Sequence, residues 1–133
     1  MTAFAKAAKN GVERVLDTGS KSPLLCFYQG ETNFREADIV TVLGALQALY
    51  VPLEVREDVP EKAVKITKLG IFEDEAGRCV EGFSPKLDLI RALESGRIVS
   101  RDLGGSDPER MAPLRFIKLY FFNCQHLRES CYF

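Results

Sequence analysis

The sequence holds a single histidine and no CxxC pair. One histidine leaves little scope for acid–base catalysis, and neither a Ser-His-Asp set nor a phosphate-binding glycine pattern accompanies it. The four cysteines, Cys26, Cys79, Cys124 and Cys131, are widely spaced. With no uninterrupted apolar core in residues 1–16 to act as a secretory signal, reduced thiols in an intracellular compartment are expected. An excess of charge is missing too: 18 basic residues face 19 acidic ones, a net charge of −1. A protein whose main work is neutralising phosphates needs a clearly basic domain. No run reaches the roughly 18 apolar residues of a membrane span, because the longest apolar-rich stretch, residues 39–53, is broken by Thr41, Gly44, Gln47 and Pro52.

What is present is the composition of a globular protein. The chain has 133 residues, 46% of them apolar and 28% charged, enough for one domain with a core and one or two appended segments. Residues 1–16, MTAFAKAAKNGVERVL, place Phe4, Ala7, Ala8, Val12, Val15 and Leu16 near one face, with Lys6, Lys9 and Arg14 elsewhere. Organelle import signals use such basic amphipathic starts. The plainer reading is a helix lying on the core, and Glu13 and Asp17 favour it.

After a polar break at residues 17–22, the continuous apolar run 23–28, PLLCFY, suits a strand buried on both faces. Residues 30–33 read as a turn, with Thr32 or Asn33 able to cap a helix. From Phe34 to Tyr50 apolar residues recur every three or four positions, the pattern of an amphipathic helix. Pro52 ends it, and residues 52–57, PLEVRE, alternate Leu53 and Val55 with Glu54 and Arg56, which predicts a second, half-exposed strand. Residues 64–72 predict a third strand with a break at Gly70, residues 73–77 a hairpin turn, and residues 78–83 an antiparallel return. Ser84 as N-cap, Pro85 at the first helical position, the stripe Leu87, Ile90 and Leu93, and a stop at Gly96 predict a closing helix.

The expected order is therefore β-α-β-β-β-α, an α/β chain with the plan of a thioredoxin-like four-stranded mixed sheet. A ferredoxin-like or double-stranded-RNA-binding arrangement is the alternative for the same string. The divisions are residues 1–21 as an N-terminal helix or arm, 22–96 as the thioredoxin-like domain and 97–133 as a C-terminal extension. Within the extension, residues 104–108 read as a loop. The run 114–122, LRFIKLYFF, is apolar and β-favouring, so its own domain or another protein must cover it.

None of these elements carries an evident active site. A working redox member needs a low-pKa thiolate in the turn after the first strand. Cys26 lies within that strand, and the turn QGETN has no thiol. Cys124, His126 and Cys131 form a C-x-H-x₄-C cluster of soft ligands, but its spacing matches no common zinc site and a fourth ligand is not evident. Catalytic, cofactor-binding and metal-binding residues are accordingly expected to be absent.

In order and spacing, LLC ending the first strand, a helix without CxxC, PLEVRE and then FSPKLDLIRALESG resemble a known family over about seventy residues, 24–96. It is the thioredoxin-like domain shared by a small accessory subunit of mitochondrial respiratory complex I and certain mitochondrial ribosomal proteins. The subunit carries a second cysteine directly after its Arg-Glu pair, where this chain has Asp58, so a thiol pair with Cys26 is not available. The resemblance implies a non-catalytic subunit of complex I on the matrix side of the inner mitochondrial membrane. Such a subunit would be peripheral to the bilayer and held by other protein subunits, without a cofactor, small-molecule substrate or nucleic acid. A mitochondrial ribosomal protein is the alternative, disfavoured by the slightly acidic charge, and a thioredoxin-like redox protein using Cys26 is a third.

Overall fold

The computed structural model describes residues 2–27, 36–72, 83–109 and 111–118. Phe4, Ala8, Val12 and Leu16 recur on one side of helix α1, Thr2–Asp17, as the sequence predicts. Gly19, at φ 79°, ends this helix by returning its amide to the Leu16 carbonyl at 2.9 Å, a left-handed cap that favours glycine. Strand β1, Leu24–Leu25, follows. Helix α2, Ala37–Leu49, is the centre of the fold, burying Ile39, Val42, Gly44, Ala45 and Ala48.

The remaining elements depart from the expected sheet. Residues 52–57 do not form a strand: Leu53–Asp58 is a short helix, α3, followed by one 3₁₀ turn at Pro60–Lys62. Four alternating residues are too few to separate a period of 2 from one of 3.6. Leu, Glu and Arg are good helix formers, and Glu54 in the first turn and Arg56 in the last both suit the helix dipole. Of the expected strand 64–72 only Gly70–Ile71, β2, pairs. The one sheet among the described residues is a parallel pair, with Leu24 opposite Gly70 and Leu25 opposite Ile71. The parallel crossover is thus present, but it runs from β1 through α2 and α3 to β2. The four-stranded thioredoxin-like sheet is overturned, and the described chain is mostly helical. The turn at residues 30–33, the hairpin at 73–77 and most of the return strand 78–83 lie outside the described residues.

Helix α4, Phe83–Gly105, starts close to the predicted cap but runs straight through Gly96. A glycine inside a helix costs about 1 kcal/mol relative to alanine. Here Glu94 bridges it, bonding Arg97 and Arg101 on the far side at 2.9 Å each. The buried stripe also differs from the predicted one. Leu87 and Ile90 face α2 as expected, but Leu93 is 44% exposed and the polar Glu94 takes the inward position. Residues 113–118, which take in the start of the β-favouring run 114–122, are helical; residues 119–122 of that run lie outside the described part.

Two apolar clusters hold these elements around α2. Val12 of α1 meets Ala45 and Ala48, while Ile90 of α4 meets Ile39 and Val42 on another side. Leu25 of β1 packs against both. At the N-terminal end of α2, Lys86 of α4 pairs with Asp38 at 2.7 Å. At its C-terminal end, the Lys65 ammonium donates to the carbonyls of Ala48 at 2.8 Å and Tyr50 at 2.9 Å, favourable contacts for a cation beside a helix C-terminus.

Candidate functional site

The strongest polar constellation lies where the end of α2, helix α3 and the second half of α4 meet. Its centre is Asp102, 2% exposed. Pro52 stops α2 and starts α3, which brings Tyr50 and Arg56 to opposite ends of a tight bend, both facing α4. The Tyr50 hydroxyl donates to Asp102 Oδ1 at 2.8 Å, and Arg56 Nη2 lies 2.6 Å from Asp102 Oδ2. That second contact is an ion pair without hydrogen-bond direction, since Arg56 Nη2 and Nε find no aligned acceptor.

About two turns earlier on α4, the buried Glu94 (7% exposed) accepts from Arg97 through Oε2 and from Arg101 through Oε1. Arg97 also donates to the Leu43 carbonyl of α2 at 3.0 Å. Arg101 lies over the Tyr50 ring, its guanidinium carbon 4.9 Å from the centroid, and this cation–π contact accommodates a buried Nη2 that has no hydrogen-bond acceptor. Burial, with the hydrogen bond to Asp102 and its negative charge, pushes the Tyr50 hydroxyl up to about 12, although Arg56 and Arg101 pull the other way.

Both carboxylates in this cluster are held by protein groups, Glu94 by two hydrogen-bonded arginines and Asp102 by the Tyr50 hydroxyl and the Arg56 charge. The arrangement acts as a clamp: three arginines and a tyrosine fix how α2, α3 and α4 sit together. The sequence marks none of the six as a site residue; Tyr50 and Arg56 enter there only as members of an expected helix and strand. A faint signal existed, because Glu94, Arg97 and Arg101 recur at three- and four-residue spacing, but on an isolated helix such a run reads as a solvated face.

Of the thiols considered from sequence, Cys26 follows β1 as a free, exposed cysteine. Cys79, Cys124, His126 and Cys131 lie outside the described residues. Among the described residues no three His, Cys, Asp or Glu side chains converge as metal ligands, and no helix is long and apolar enough to cross a membrane.

Comparison with known proteins gives one informative likeness. The chain is 36% identical over 116 residues, 84% of its own length, to a Caenorhabditis elegans protein that bears the name "putative aminopeptidase". It spans about a fifth of that relative's length, 20%. No family model matches, and no solved structure matches.

Proposed function

We propose that this chain is an accessory packing module of an aminopeptidase-type protein, with the hydrolytic groups supplied by another part of that protein. The observation that carries this reading is the 36% identity to the nematode protein over 84% of the chain. The buried clamp supports it, since the oxygens of Glu94 and Asp102 are already committed to Arg97, Arg101, Tyr50 and Arg56. Groups held in that way position helices rather than exchange protons with a substrate. The complex I and mitoribosomal readings, like redox chemistry at Cys26, drew in part on a thioredoxin-like sheet, which the described residues do not form.

A full-length chimera tests the proposal: the matched residues of this chain replace the corresponding fifth of the nematode protein. The chimera is expected to keep its parent's oligomeric state, melting temperature and rate of hydrolysis of leucine p-nitroanilide. The 133-residue chain alone is expected to release no nitroaniline, with or without added zinc or manganese. Turnover by the isolated chain, or a chimera that fails to fold where its parent folds, overturns the proposal.

A further inference from the structure

Among the described residues nothing pairs with the side of β1 away from β2. In a parallel ladder, alternate residues of a strand turn their N–H and C=O groups toward a given neighbour. Gly70 N–H donates to the Pro23 carbonyl and Phe72 N–H to the Leu25 carbonyl, each at 2.9 Å. Residues 23 and 25 therefore serve β2, while Leu24 and Cys26 turn their main-chain groups the other way. Leu24 is 61% exposed and Cys26 is exposed. Beside this edge runs a cavity of about 390 Å³ between β1 and the Phe4, Ala7, Gly11 and Val15 side of α1, with no charged residue among the described residues that line it. A Cβ built at Gly11 would meet nothing within 4 Å, so helix and strand leave room between them.

We propose that this edge takes a further β-strand, an extended apolar segment from the remainder of a longer aminopeptidase-type polypeptide, seated in the cavity against Ala7 and Gly11. The inference rests on the function proposed above. Three observations select that occupant. Parallel strands are stable when covered on both faces and continued sideways, and a lone two-stranded pair is marginal. The described lining, which carries no charge, suits an apolar strand rather than a charged one. The matched region is 20% of the nematode relative, leaving about four fifths of its polypeptide to supply the strand. A second copy of this chain is a poorer fit, because an edge of three residues falls well short of the roughly 800 Å² per partner of a stable dimer.

The test compares hydrogen exchange and N-ethylmaleimide labelling in the isolated 133-residue chain and in the full-length chimera. In the chimera the Leu24 and Cys26 amides are expected to exchange at least tenfold more slowly, and Cys26 to lose most of its reactivity. Cys26→Pro removes an edge N–H without touching the ladder to β2. It is expected to lower the melting temperature of the chimera and leave that of the isolated chain unchanged. A folded chimera whose Leu24 and Cys26 amides exchange as fast as in the isolated chain overturns this inference and leaves the proposed function standing. Protection of the same amides in the isolated chain, together with a concentration-dependent dimer, gives the edge to a second copy and also overturns it. A chimera that does not fold where its parent does overturns both.

Discussion

Tyr50 and Asp102 stand 52 residues apart in sequence and share a 2.8 Å hydrogen bond, the phenol donating to a buried carboxylate. With the Arg56 ion pair on the other oxygen, this contact fixes the bend after α2 against α4. Because the Tyr50 hydroxyl is pushed up to about 12 from an ordinary value near 10, the folded chain holds its proton in a range where the unfolded chain releases it. The associated stability is fully present below pH 10 and is lost as pH rises from about 10 to about 12. It amounts to about 1–2 kcal/mol once solvent screening is allowed for. Urea titrations across that range should show the wild-type chain losing this increment relative to Tyr50→Phe. At pH 7, Tyr50→Phe should cost about 2 kcal/mol, because Asp102 loses a donor.

Removing the carboxylate is the more damaging change. Asp102→Ala leaves the Arg56 guanidinium without its partner and should cost about 3–5 kcal/mol, measured as a fall in the urea midpoint at unchanged slope. Replacing both ends with apolar groups, Arg56→Met with Asp102→Leu, should recover much of that loss. A double variant no better than Asp102→Ala would mean that the damage comes from packing rather than from an uncompensated charge.

Two glycines should respond in opposite directions to the same substitution. At Gly44 an added Cβ would press on the backbone of Ala5, with even the carbonyl carbon only 2.8 Å away. The contact is backbone on both helices, so no side chain can swing aside. Gly44→Ala should force α1 off α2 at a cost of about 3 kcal/mol or more. At Gly96, inside α4, an added Cβ meets nothing within 4 Å. Gly96→Ala should raise stability by about 0.5–1 kcal/mol. Thermal melts of the two variants check both signs at once.

Lys65 offers a milder test of how α2 is closed. Its ammonium reaches two carbonyls at the end of that helix. Lys65→Met keeps most of the apolar stem and removes the donors, so it should cost about 1–2 kcal/mol. Amide exchange should then quicken in the last turn of α2 more than at Ile39 or Val42.

Legibility in the sequence followed the length of each signal. Helices α1 and α2 carry three- and four-residue repeats over 16 and 13 residues and form where the pattern places them. Leu53 to Arg56 is too short to distinguish strand from helix, and α3 formed where alternation predicted a strand. The glycine at 96 reads locally as a stop, yet Glu94 spans it with ion pairs that depend on residues up to seven positions further along. The clamp itself was invisible, because Asp102 meets Tyr50 and Arg56 only after α2 and α4 have packed.

Local sequence is enough for helices α1 and α2, for a glycine able to take the left-handed conformation that ends α1, and for the apolar run that becomes β1. All of these depend on local periodicity or on the conformational freedom of a single residue. Which charges are buried, how far α4 extends and the pairing of β1 with β2 rather than with residues 52–57 were settled by packing between distant parts of the chain. Those outcomes turn on contacts between residues distant in the chain, where burial raises the stakes of every unpaired polar group and favours an arrangement in which Glu94 and Asp102 both find partners.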